Sequence, residues 1–202
     1  QEFEANGQWP EALGSLTEAE AGERERLFQA WRNQLEEKHE YEEALAVTQR
    51  QADELSQDLN EDRVRLYKAW ADQEEAASRW ESAAKVYQHQ LSKDLSSSVA
   101  VQNLERVYHA WSQEPLQQGD FEQAIQVWDK AKDITELQTS ASDKISGLYL
   151  EWGQALRTSQ DFSSAITVLE QGRVVSDTPA MQQEIGQTFQ DWSAHWEREG
   201  DF

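Results

Sequence analysis

The stretch Glu105–Trp128, ERVYHAWSQEPLQQGDFEQAIQVW, decides the fold, because looser copies of it recur along the whole chain. A tryptophan heads each copy, at Trp31, Trp70, Trp111, Trp152 and Trp192, with successive spacings of 39, 41, 41 and 40 residues. Ten residues after each stands another aromatic: Tyr41, Trp80, Phe121, Phe162 and Phe202. The first four of these open one phrase, read as YEEAL, WESAA, FEQAI and FSSAI. Self-similarity at a fixed period marks a solenoid, in which each unit buries its apolar face only against its neighbours.

Outward from that stretch, the apolar residues keep helical spacing. Leu27, Phe28, Trp31 and Leu35 form one stripe, and Phe121, Ala124, Ile125 and Trp128 form another. Thr17-Glu18-Ala19-Glu20 has the form of a capping box, and Asn60 is placed to cap the helix after Leu59. Thr178-Pro179 caps and opens the last helix, with proline at the favoured first position. Pro115, four residues past its tryptophan, predicts a kink or an early stop. The strict spacing of the five leading tryptophans assigns them to core packing. The expected fold is therefore all-α, a right-handed α-solenoid of antiparallel helix hairpins. It spans residues 1–202 as a single array: a half repeat 1–16, repeats of about 17–58, 59–97, 98–138 and 139–176, and a half repeat 177–202.

The corner Gly119-Asp120-Phe121, the alanine three residues on and the aromatic-headed helix before it resemble the tetratricopeptide repeat (TPR). Against that pattern Phe28, Tyr67, Tyr108, Tyr149 and Phe189 take the first bulky slot of the leading helix, and the five tryptophans the slot beside the small residue. Gly153 alone supplies the glycine that follows. Ala44, Ala83, Ala124 and Ala165 match the alanine of the trailing helix; Tyr87, Trp128 and Leu169 match its later bulky position, from which Thr48 departs. The period near 40 exceeds the 34 of that family. The resemblance implies a fold and a protein-binding role, and no reaction. Members that grip acidic peptide termini use Lys and Asn on the concave face. Of the comparable positions here only Asn33 and Lys68 fit, and Asp72 would repel a carboxylate.

Charge narrows the partners. Eighteen Lys and Arg against 39 Asp and Glu give a formal charge of −21, which repels nucleic acid and anionic lipid. No cysteine is present, so disulfides and thiolate chemistry are excluded. No apolar run is long enough to span a membrane. His39, His89, His109 and His195 fall at different phases without metal spacing, and no phosphate loop or nucleophile motif occurs, so neither cofactor nor catalytic residue is expected.

Two functions fit. One is a non-enzymatic protein–protein interaction scaffold, with Arg26, Arg65 and Arg106 recurring at one phase as a possible groove. The alternative is a structural subunit that assembles head-to-tail into a helical filament or tube. Its contact residues would be Trp9, Trp192, Trp196 and Phe202, since apolar residues stand where a soluble array carries a polar cap.

Overall fold

The computed structural model describes residues 2–17 and 20–199. Among these residues there are eleven α-helices and no strand. Two helices precede the first full repeat, α1 (Glu2–Ala5) and α2 (Trp9–Gly14). Leading and trailing helices then alternate: α3 (Ala21–Glu37), α4 (Tyr41–Leu55), α5 (Asn60–Ala76), α6 (Trp80–Ser92), α7 (Ser97–Gln117), α8 (Phe121–Ala131), α9 (Gln138–Thr158), α10 (Phe162–Val175) and α11 (Pro179–Glu199). The leading helices hold much of the long period, with 17 residues in α3 and α5 and 21 in α7, α9 and α11.

The chain forms two compact units, Gln1–Leu104 and Glu105–Phe202, and the division falls inside α7. In the first unit each of α2 to α5 packs on the helix that follows it. In the second, α9 packs on α8, α10 and α11, so a leading helix touches both its own partner and the next leading helix. That is the neighbour-on-neighbour packing of an all-α solenoid. Leu13, Phe28, Leu66 and Tyr87 are fully buried in the first core, and Trp128, Ile145, Leu169 and Met181 in the second. No helix among the described residues is long and apolar enough to cross a membrane.

One corner geometry closes every hairpin. Gly7, His39, Ser78, Gly119 and Gln160 all adopt left-handed φ, at +70°, +61°, +54°, +76° and +67°. The residue after each donates its N–H to the carbonyl five positions back: Gln8 to Phe3 and Glu40 to Leu35 at 2.8 Å, and Arg79 to Glu74, Asp120 to Pro115 and Asp161 to Leu156 at 2.9 Å. This closure satisfies a carbonyl at the helix end that would otherwise lack a partner. Asp120 and Asp161 also accept from Gln123 N and Ser164 N, capping the trailing helices. A non-glycine residue in the left-handed region is strained by about 1–2 kcal/mol, partly offset by the unfolded-state entropy that glycine adds. Gln160→Gly is therefore expected to stabilise the chain by about 0.5–1 kcal/mol, read as a higher urea midpoint with an unchanged slope.

Three local expectations are corrected. Helix α7 does not stop at Pro115 but continues to Gln117. The proline lies in the last turn, where its carbonyl serves the corner bond from Asp120. Asn60 is the first helical residue rather than the cap, and Asp58 Oδ1 accepts its N–H at 3.0 Å. The Thr17 box is half formed: Glu20 Oε2 accepts both the N–H and the hydroxyl of Thr17, each at 2.9 Å. Thr178 does cap, accepting from Met181 N at 3.2 Å, with Pro179 first in the helix.

Candidate functional site

The leading tryptophans are not the deepest core. All five are half-buried. Burial goes instead to the ring three residues earlier, 0% exposed at Phe28, 2% at Tyr67 and 3% at Tyr108. In the second unit the seam between repeats is a stack of rings: Trp152 lies between Tyr149, at 6.5 Å and 15°, and Phe121, at 6.0 Å and 4°. Trp192 stacks on Phe162 at 6.3 Å and 18°. Each of these tryptophans thus meets the corner aromatic of the preceding repeat. Offset stacking of this kind stabilises by about 0.5–1.5 kcal/mol beyond area burial.

The residue after each tryptophan sets how closely the trailing helix approaches. It pairs in register with a residue 16 positions on: Arg32 with Thr48, Ala71 with Tyr87, Ser112 with Trp128, and Gly153 with Leu169. All eight are buried. Trp128 Nε1 donates to Ser112 Oγ at 3.1 Å. A Cβ built on Gly153 would fall less than 3.0 Å from Leu169 Cγ. In three of the four pairs a small leading residue admits a bulky trailing one. Thr48, the exception to the bulky series, accompanies the one large partner, Arg32. The Arg32 guanidinium approaches Asp62 Oδ2 at 3.4 Å.

Carboxylate–arginine pairs tie consecutive leading helices. Arg65 on α5 donates to both oxygens of Glu36 at the end of α3, at 2.6 and 2.8 Å. Arg157 at the end of α9 donates to Glu184 and Asp191 on α11, each at 2.6 Å. Glu36 and Arg157 occupy the same register, five residues past their tryptophans, so the two ties have opposite polarity. Hydrogen bonds from Gln187 and then Arg157 hold the Asp191 carboxyl below its usual range. Glu184, then Asp191, push the Arg157 guanidinium up.

The residues singled out from sequence are distributed as follows. Arg26 is clamped by Glu4, at 2.8 and 2.9 Å, and by Glu23. Arg65 is held by Glu36 as described, while Arg106, on α7 in the second unit, is also engaged. Trp9 is buried, its indole N–H donating to Gln34 Oε1 at 2.6 Å. Trp192 and Trp196 line one groove of about 490 Å³ with Phe162 and His195. Trp196 is 44% exposed and Phe189, on the same helix, 51%. Phe202 lies outside the described residues. The signal that finds Glu36 and Arg157 is their shared offset of five residues from the tryptophans, which periodicity of apolar residues alone passes over.

No protein-family profile matches the chain, and no curated protein matches it. Among solved structures it is similar to BtubC (BKLC) from P. vanneervenii, at 16% identity over 90% of this chain and 75% of that one, with a TM-score of 0.27. It is also similar to a thermophilic TPR protein in Thermus thermophilus, at 17% identity over 83% and 85%, with a TM-score of 0.23. The all-α solenoid fold rests on the helix packing of this chain itself.

Proposed function

We propose that this chain is a non-enzymatic scaffold, TPR-like in its repeats, that binds protein or peptide partners along the exposed register of its leading helices. One contrast carries the reading. Positions inside the hairpins repeat closely: Ala44, Ala83, Ala124 and Ala165 are each fully buried. The position one residue past the first bulky slot instead reads Gln29, Lys68, His109, Leu150 and Gln190, four of them exposed. A fixed interior beneath a varied surface is what repeat proteins present to partners. In this reading Arg26 and Arg65 hold neighbouring segments together. The test is selection of peptides from a displayed library on the full chain. Recovered peptides should lose at least tenfold in affinity with Lys68→Glu or His109→Glu while the urea midpoint stays put; failure to enrich any peptide sinks the reading.

A second reading, head-to-tail self-assembly, is favoured by the α11 face, where Phe189 is 51% exposed although its counterparts Phe28, Tyr67 and Tyr108 are buried. Trp9 is taken up within its own unit, so on the α1–α2 side the exposed apolar ring is Phe3, 42% exposed, rather than Trp9. Light scattering over a concentration series decides it: growing mass that Phe189→Glu abolishes supports assembly, and a constant mass near 23 kDa excludes it.

A further inference from the structure

The first unit contains eleven Lys and Arg side chains, of which eight form ion pairs with carboxylates among the described residues. Two of the remaining three, Arg63 and Lys93, line the same cleft. It measures about 420 Å³ and lies among α4, α5 and α6, with His89, Leu45, Ala46 and Tyr67 also lining it. Glu42 is the one carboxylate lining it, and it forms no ion pair with either cation. Arg63 makes only a long 3.4 Å bond to Asn60 Oδ1 through its side chain. The His89 ring stands edge-on to Tyr67, centroids 5.5 Å apart at 86°. In a chain of formal charge −21, two cations without a carboxylate partner among the described residues face this one cleft.

We propose that this cleft binds a short segment of a protein partner in which an oxyanion, carboxylate or phosphate, sits beside an apolar side chain. The proposal rests on the scaffold reading and names a second face for it. Arg63 offers a planar fork matched to two oxyanion oxygens, and Lys93 a mobile point charge. Ala46, exposed in the cleft, and the edge of Leu45 take the apolar neighbour. The acidity of the whole chain selects against extended polyanions, which leaves short segments with one or two charges.

The probes are three blocked tripeptides, acetyl-Leu-phosphoSer-Leu-amide, acetyl-Leu-Glu-Leu-amide and acetyl-Leu-Gln-Leu-amide, titrated into the full chain by calorimetry. At least one charged peptide is expected to bind tenfold or more tighter than the glutamine peptide, and which one does so separates phosphate from carboxylate. Arg63→Gln/Lys93→Gln removes that preference, and Arg63→Lys/Lys93→Arg keeps most of it. If the double variant fails to fold, Lys93→Gln alone, at an exposed position, reduces the preference severalfold. Equal affinity for all three peptides, no binding of any, or a preference that survives loss of both cations overturns the proposal. Library-selected peptides indifferent to Arg63→Gln/Lys93→Gln keep the scaffold and remove this cleft from it. An empty selection with charged tripeptides still binding here removes the leading-helix face alone.

Discussion

Alanine at position 153 is expected to lower the stability of the chain by about 1–3 kcal/mol, against the usual direction for a helical glycine. In an open helix interior the same change gains roughly 1 kcal/mol from propensity. Here the added methyl falls less than 3.0 Å from Leu169 Cγ, and Leu169 is fully buried. Steric overlap wins because close-packed interiors yield little. The decisive measurement is a reversal of sign. In a Leu169→Ala background, itself costing about 2–5 kcal/mol, the obstacle is gone, and Gly153→Ala should become neutral or stabilising by up to ~1 kcal/mol. Equal effects in both backgrounds would show that residues 153 and 169 do not set the hairpin spacing.

Arg157→Ala carries an effect of comparable size, a loss of about 2–3 kcal/mol. Arg157 donates to Glu184 and Asp191 at once, and Gln154 Nε2 reaches Glu184 at 3.2 Å. Glu184 is buried, so removing the guanidinium leaves a desolvated carboxylate whose remaining side-chain donor is one amide. The partial exposure of the arginine keeps the figure below that of a fully buried pair. Glu184→Gln added to Arg157→Ala should restore about half of the loss, because the orphaned charge is what costs most. A double-mutant cycle by urea unfolding gives the coupling, expected at about 1–2 kcal/mol; a coupling near zero would mean that the tie is held open to water.

The hairpin corners were legible in the sequence because they are local. Ten residues separate each leading tryptophan from its corner aromatic, and helix α8 begins at Phe121 and α10 at Phe162 as the phrase requires. The alanine slots were legible for the same reason, a small residue recurring at one phase. Less legible was the depth of each ring. Spacing places Trp152 on the inner stripe, yet whether it fills the core or the seam depends on Phe121 from the previous repeat, which stacks on it. The arginine row was visible as a period, but its partners Glu4 and Glu36 follow no apolar pattern and emerge only when consecutive helices are side by side. The Arg63–Lys93 cleft was hidden more thoroughly, since those two residues share no register and meet only through the packing of three helices.

The opposite polarity of the two ties bears on how an array of near-identical hairpins finds its order. Repeats that differ little can dock out of sequence during folding, and apolar stripes alone do not penalise the error. If α11 were placed after α3 in place of α5, Gln187 would stand in the register of Arg65, and Glu36 would lose its two charged hydrogen bonds. If α5 followed α9, Asp62 would stand in the register of Glu184 and Ala69 in that of Asp191, so Arg157 would keep one carboxylate of two. Both mistaken junctions lose charged hydrogen bonds that the native ones make. The opposite charges of Glu36 and Arg157, five positions past their tryptophans, therefore act as addresses for these two junctions, where the interiors are alike.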